Sequence, residues 1–547
     1  MALEKEDGAV EKLMEEGQKQ VGTTGDKYDE LKELEVTDHS MEAAYAGMGK
    51  EELIKYANSP FWIRLRWLLF VTFWLSWFAM MFGALFIIFM TPKCFPSSKL
   101  QWYQKSPVYI IDTSLLLNKN GLDEKIEYMQ KLGVQNVVMK SVLIGNDGEV
   151  IDFVKNNVTE VNGTSLEYII KKLNDKGMKV MLKLVPNYSS RSHMFFARSA
   201  LNEPNFRDYY IWNPGFKNGT KHIPINNWLN VTGGPAWSWS DTRKEFYLHQ
   251  FSENQPDFNF RNKYIVDYFE EIFKFWLSTG VDGFYLDEVQ YLFVDKDFKN
   301  HTDISTQTVT SKYNSLADKI TSNLPETYDL ISHWGKLIRN NSGILIVSDL
   351  DPKDVTEVDM VHSPVTLTSD FTGEQLLNAI SSKKNTPSSW SSWEWVCTDV
   401  KPNCWEKEML DAFSILGSLL PGTPFINADP KLFEGKHLPN ITLIESTLKE
   451  LRSMPTVEFG SLNAKLLNND TVFAFDRVMS GSENLLFIWN LSKNVTVLDL
   501  SSFDGTPAEV NLSLCTPSAC SILPAINSKV DSTTLSLAAK SAVVLTF

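Results

Sequence analysis

The uncharged run from Trp67 to Met90, WLLFVTFWLSWFAMMFGALFIIFM, constrains this chain more than any other stretch. At about 1.5 Å of rise per residue it is long enough to cross the hydrocarbon core as one helix, and it lies too far from the N-terminus to read as a cleaved leader. A buried core helix rarely stays apolar on every side for this length. Arg64 and Arg66 stand just before the run and only Lys93 just after it. The excess of positive charge on the N-terminal side predicts a single-pass type II protein with a cytosolic N-terminus. Everything after the run is then extracellular or lumenal, where Asn-x-Ser/Thr acceptors are glycosylated. The acceptors agree: Asn157, Asn162, Asn187, Asn218, Asn230, Asn300, Asn340, Asn440, Asn469, Asn490, Asn494 and Asn511 all follow the span, with Asn187, just past the third apolar run, expected to be too buried for a glycan. Within the span, Ala79 and Gly83 form a small-xxx-small pair that allows close helix packing, with membrane lipid covering the remainder.

The cysteines narrow the ectodomain. Five are too few for a disulfide-built scaffold, so the fold must rest on an apolar core, which 43% hydrophobic residues can supply. Cys397 and Cys404 flank a Lys-Pro-Asn turn, and Cys515 and Cys520 a Pro-Ser turn, so local pairing is the least demanding arrangement for four of them. Cys94, in the Pro-flanked stalk TPKCFP, is left for a partner outside the chain. No C-x-x-C pair or suitably spaced His supports a metal site, and no cofactor is expected. A net charge of −15 argues against nucleic acid as a partner.

Taken in order, the chain divides into a cytosolic tail (1–66), the span (67–90), a stalk (91–106), an α/β region (107–458) and a β-rich end (459–547). Residues 49–63 read either as a short helix with a Pro break along the inner membrane face or as a plain linker. In the α/β region, apolar runs at Val108–Ile111, Asn136–Met139, Lys179–Val185, Gly283–Leu286, Ile344–Ser348, Val358–Val361, Trp393–Cys397 and Pro424–Asn427 alternate with amphipathic stretches such as Asp123–Leu132, Ser165–Lys176 and Lys263–Leu277. Eight such strands predict a (β/α)8 barrel with its reactive groups just past the strand C-termini. A Trp- and Tyr-rich excursion at 205–260 is too long for an ordinary loop and predicts a small subdomain, with Trp212, Trp228, Trp237 and Trp239 forming its core rather than the sugar-stacking platform such a cluster also suggests. After Phe459, TVFAFDRV, NLLFIWNL, VTVLDL and AVVLTF predict an antiparallel β-sandwich.

KVMLKLVPNYSSRSHMFF (179–196), GVDGFYLDEV (280–289) and LPGTPFINAD (420–429) resemble the strand-three, strand-four and strand-eight signatures of the α-amylase superfamily of glycoside hydrolases. The excursion is similar to the oligo-glucosidase-like branch that includes the rBAT heavy chain. GKEELIKYANSPFWIRLRW, the span and TPKC resemble the heavy subunits of heteromeric amino-acid transporters, solute carrier family three. That resemblance implies a plasma-membrane subunit without enzyme activity, which stabilises a polytopic light chain and brings it to the surface, linked through Cys94 and the transmembrane helix.

Retaining glycosidases need one carboxylate to attack the sugar and another to protonate the leaving oxygen. By the resemblance the nucleophile position is Asp287, the acid/base position is Asp349, where the family has Glu, and the third carboxylate is Asp399. The surroundings depart from the pattern: Lys183, Tyr188, Tyr285 and Thr398 replace the family's Asp, His, Arg and His. These changes imply a vestigial site, with Lys183 in an ion pair to Asp287 and no imidazole left to hold sugar hydroxyls. A membrane-anchored α-glucosidase and a receptor or adhesion ectodomain remain the alternatives.

Overall fold

The computed structural model describes residues 49–90, 100–116, 121–140, 153, 165–301, 320–351, 354–384, 390–399, 404–428, 442–503 and 505–547. Cys94, Asn157, Asn162 and Asn440 lie outside these residues. The chain divides into two compact units, Met1–Ser97 and Ser98–Phe547.

In the first unit, α1 (Lys50–Ala57) is followed after Asn58–Ser59 by α2 (Pro60–Met90). Pro60 suits the first turn, where no intrahelical acceptor is lost. From Trp67 onward the helix is apolar all round; it buries none of its residues and is the one described helix long and apolar enough to cross a membrane. Ala79 and Gly83 lie exposed one turn apart along it.

The second unit is built on eight parallel strands: β1 (Val108–Asp112), β2 (Asn136–Lys140), β3 (Lys179–Leu184), β4 (Gly283–Leu286), β5 (Ile344–Ser348), β6 (Met360–His362), β7 (Ser392–Trp393) and β8 (Thr423–Asn427). Their hydrogen-bonded order is β6-β5-β4-β3-β2-β1-β8-β7, a barrel closed everywhere except between β6 and β7. Alternation decides which side chains fill it. Val108, Ile110, Val138, Met181, Tyr285, Ile346, Met360 and Phe425 form the inner cluster, while Tyr109, Val137, Val180, Phe284 and Leu345 pack against the outer helices. Both faces are buried, which is why these strands read as continuous apolar runs. Gly283 opens β4 because a Cβ there would stand 2.5 Å from the Ile344 carbonyl oxygen.

The covering helices are α3 (Leu122–Lys131), α4 (Leu166–Asp175), α5 (Lys263–Ser278), α6 (Pro325–Asn340), α7 (Gly373–Lys384), α8 (Lys407–Leu419) and α9 (Leu443–Arg452). The start of α9 is fixed by a capping box, in which the Thr442 hydroxyl and the Glu445 carboxylate each take the other's backbone N–H.

The predicted seventh strand differs from the observed one. The barrel keeps only Ser392–Trp393, and Trp395–Cys397 instead pairs in parallel with Val365–Leu367. The chain turns at Glu394, and this turn governs the site described below.

Between β3 and α5 the excursion forms a three-stranded antiparallel sheet (Trp212–Asn213, Glu245–Leu248, Trp237–Ser240) and a hairpin (Phe216–Asn218 with Lys221–Ile223). Trp228 and Trp237 stack with centroids 6.0 Å apart in its core. Trp212 packs on Phe196, and Trp239 on His222. This aromatic set is therefore occupied by the subdomain itself.

The C-terminal region is a six-stranded sheet of β9 (Ser461–Leu467), β10 (Val472–Val478), β11 (Leu485–Asn490), β12 (Glu509–Cys515), β13 (Lys529–Asp531) and β14 (Ala542–Thr546), in the order β9-β10-β11-β14-β12-β13. One face, with Phe473, Phe487 and Trp489, packs on Phe413 and Leu416 of α8. The other, with Val472, Ile488 and Leu545, meets a two-stranded layer, Thr496–Leu498 with Leu535–Leu537. Cys397 is bonded to Cys404 and Cys515 to Cys520.

Candidate functional site at the barrel mouth

The C-terminal ends of the strands bring together Lys183 from β3, Asp287 and Glu288 after β4, Asp349 after β5, His362 at the end of β6, Glu394 after β7 and Asn427 at the end of β8. Lys183 and Tyr285 are register partners, so the Lys183 amine lies 4.9 Å from the Tyr285 ring centroid. The same amine reaches Asp287 Oδ2 at 2.6 Å. Asp287 is thus held by an ammonium where the family resemblance calls for a guanidinium and an open approach.

The neighbouring acids are under tension from burial and like charge. Glu288 takes a left-handed backbone, with φ +57°, and its N–H donates to Ser348 Oγ at 3.0 Å. Burial first, then the Asp287 and Asp349 charges, push its carboxyl up to about 7. Asp349 is also left-handed, with φ +51°, and its N–H donates to the His362 carbonyl. Burial, reinforced by Asp287, raises the Asp349 carboxyl as well. Tyr285 is raised by burial and then by Asp287, so its phenol stays neutral.

The second half of the cluster bridges the gap between β6 and β7. His362 is fully buried, with Nδ1 at 3.0 Å from Ser392 Oγ and Nε2 at 2.7 Å from Glu394 Oε2. Burial lowers its pKa despite the opposing pull of Glu394. A carboxylate can only accept, so the neutral ring carries its proton on Nε2 and accepts the Ser392 hydroxyl at Nδ1. Burial opposes the ionisation of Glu394, but the His362 bond, Asn427 Nδ2 and Lys183 together keep its carboxyl below the usual range. Lys383 donates to the Ser392 carbonyl at 2.8 Å and to the Ser363 carbonyl, and burial pulls its amine down to about 8. Side chains therefore close the seam that backbone hydrogen bonds leave open.

Three expectations need correction. The third mouth carboxylate is Glu394 and not Asp399: Asp399 follows the two-stranded pairing outside the barrel and accepts the Ser369 N–H at 3.0 Å. The alignment of Thr398 with a family His falls with it, since Thr398 bonds the Leu367 carbonyl. Among the described residues the mouth also keeps an imidazole, His362, with both nitrogens engaged by protein groups. Sequence reasoning missed Glu288, His362, Lys383, Glu394 and Asn427. For His362, Glu394 and Asn427 the usable signal was their place at the ends of strands six, seven and eight.

The acceptor asparagines separate by burial. Asn218, Asn300, Asn340, Asn469, Asn494 and Asn511 are exposed. Asn187 is buried, and so is Asn230, whose Oδ1 accepts from Thr232 and Gly234. Asn490 corrects the expectation: it is 0% exposed and its amide donates to the Asn494 and Ala538 carbonyls, which leaves no room for a glycan in the fold.

A parallel barrel with an insertion after strand three and carboxylates at its mouth is the architecture to which the comparisons point. Residues 117–410, more than half of the chain, match the alpha amylase, catalytic domain, and the chain belongs to that family. The solved alpha-glucosyl transfer enzyme XgtA superposes with a TM-score of 0.66 at 18% identity over 82% of this chain and 100% of its own. Isomaltulose synthase from Erwinia rhapontici does so at 0.65 and 17%, over 82% of this chain and 100% of its own. The front of the chain has a narrower affiliation: residues 33–109 match the solute carrier family 3 member 2 N-terminus. Among curated proteins, the amino acid transporter heavy chain SLC3A1 of Rattus norvegicus is 33% identical over 305 residues, 52% of this chain and 44% of that protein. Maltase 1 of Drosophila virilis is 34% identical over 227 residues, 40% of this chain and 36% of that protein. The chain thus spans less than half the length of these relatives.

Proposed function

We propose that this chain is a non-catalytic heavy subunit of a heterodimeric amino-acid transporter, anchored by α2 in the plasma membrane with its N-terminus cytosolic. The observation that carries the reading is the joining of a solute-carrier N-terminal region, with its one apolar helix, to a glycosidase-type barrel. One span without intramembrane charge cannot build a transport site, so the substrate path belongs to a polytopic light chain. This subunit stabilises that chain and delivers it to the surface, held by Cys94 and by helix packing through Ala79 and Gly83. The light-chain cysteine must lie close to the headgroups, since a four-residue stalk after Met90 reaches at most about 14 Å.

The barrel is inert because Lys183 occupies the Asp287 carboxylate, no Arg orients it, and His362 and Glu394 are spent on the seam. The ectodomain carries N-glycans at its exposed acceptors and internal disulfides at Cys397–Cys404 and Cys515–Cys520. Non-reducing electrophoresis of native membranes tests the assignment. The expected result is a high-mass band that Cys94→Ser abolishes while part of the association and transport persists. A chain that runs only at its monomer mass without reductant favours the receptor reading. Turnover of maltose that disappears in Asp287→Asn would favour the glucosidase.

A further inference from the structure

The elbow between α1 and α2 has a charge opposite to that of the chain as a whole. Lys50, Lys55, Arg64 and Arg66 face only Glu51 and Glu52 there, in a protein of net charge −15. At about 100° per residue, Leu53, Ile54 and Ala57 share one side of α1 with Lys50 in its first turn, and Glu51, Glu52 and Lys55 take the other. None of the α1 residues is buried, and Leu53 is 54% exposed. An eight-residue helix is too short to persist in water on its own propensity, so its apolar side needs cover. The elbow is nonetheless a defined turn: Ser59 N–H donates to the Tyr56 carbonyl, Ile63 N–H to Ser59, and Arg66 Nη2 to the Ala57 carbonyl at 3.0 Å. The last of these ties the end of α1 to the second turn of α2 and places a cation at the negative end of the α1 dipole.

Past the elbow, Phe61, Trp62 and Ile63 are exposed residues that lead into the apolar span. Continuity with the span identifies the cover as the membrane, and the four cations identify its chemistry. Resting on the membrane-anchor reading above, we propose that the elbow lies in the cytosolic headgroup layer and binds anionic phospholipid headgroups. Leu53, Ile54 and Ala57 enter the acyl boundary, Lys50 on the same side snorkels back to the phosphates beside Arg64, Lys55 on the far side adds its charge to the headgroup layer, and Arg66 braces the turn while its remaining donors reach the same layer.

The test uses the full chain in vesicles of phosphatidylcholine alone or mixed with phosphatidylserine, with Cys94→Ser and Leu53→Cys providing one fluorophore site. With phosphatidylserine, the label should be shielded from aqueous iodide and quenched by nitroxide lipids, and added salt should reverse this. Native mass spectrometry should show retained phosphatidylserine falling about fivefold for each of Lys50→Gln, Lys55→Gln and Arg64→Gln. Equal iodide access in both vesicles, while the chain still floats with them, overturns the proposal and leaves the anchor standing. Shielding that ignores lipid charge and all three substitutions overturns the anionic assignment. Shielding that requires a co-reconstituted polytopic protein makes the elbow a protein contact and overturns it too. Failure to float with vesicles instead defeats the anchor reading itself.

Discussion

The second unit closes two gaps in its backbone hydrogen bonding, by opposite means. At the mouth, the β6–β7 seam is stitched by His362, Lys383 and Glu394, all groups that titrate. Where the barrel meets the C-terminal sheet, two arginines do the work, Arg477 fully buried and Arg452 partly so. Arg477 donates to the carbonyls of Leu419, Val457 and Gly460, and Arg452 to those of Ser418 and Gly422. Burial pulls both guanidinium pKa values down to about 10, still well above physiological pH. The junction is therefore indifferent to pH where the seam is not. An arginine with fixed carbonyl acceptors makes a permanent joint, and a His–Glu–Lys set makes a conditional one.

The largest expected effect breaks the permanent joint. Arg477→Met leaves buried carbonyls without donors and should lower unfolding stability by about 4 kcal/mol in urea titrations, equally at pH 6 and pH 8. A loss below about 1 kcal/mol would show that water replaces the guanidinium. Next comes the covalent tie beside the seam: Cys397→Ser with Cys404→Ser opens a short loop and should cost about 2.5 kcal/mol while the chain still folds. Peptide mapping that joins Cys397 to Cys515 would remove that tie from the picture.

The comparison sharpens with pH. In the fold the Glu288 carboxyl is raised to about 7, so the folded state holds this proton more tightly than the unfolded chain. Its contribution is full below about 4.5 and is lost as pH rises through 7. His249, lowered by burial to about 4, acts oppositely, since the unfolded chain takes up its proton below about 6.5 and so draws the protein toward unfolding. Lys383, lowered to about 8, adds stability only as pH climbs from there toward about 10.5. Glu288→Gln should thus remove a fall of about 1–2 kcal/mol between pH 4.5 and 7, leaving the slopes due to His249 and Lys383. An unchanged pH profile would place the titration elsewhere. The smallest effect is Thr442→Ala, which opens the α9 capping box for about 1 kcal/mol and should leave the Arg452 contacts, at the far end of that helix, in place. A loss matching that of Arg477→Met would show that the helix start and the arginine joint are one unit.

Much of the barrel was legible because its strands are buried on both faces and its helices on one, so apolar runs and amphipathic stretches alternate visibly. The Lys183–Asp287 pair followed from the family resemblance, which put both residues among the site positions at the strand ends. Strand seven misled because Trp393–Cys397 is β-prone apart from Glu394, and nothing local in Trp-Glu-Trp says that the chain leaves the barrel there. That single turn moved the third carboxylate from Asp399 to Glu394. Lys383 was illegible for another reason: it reaches the seam from the end of α7, a contact that depends on how the helix packs. Strands β9, β12 and β13 escaped notice because polar residues interrupt them.

Asn490 carries a consequence in time rather than in space. Its sequon is complete as soon as Ser492 is made, yet its amide ends in the centre of the sheet, bonded to the carbonyl of Ala538, close to the end of the chain. Glycan transfer and closure of β11 against β14 exclude one another. In a lumenal chain, folding of this sheet is therefore a race against the glycosylation machinery, and any slowing of β14 docking should register as a molecule one N-glycan heavier that cannot complete its fold.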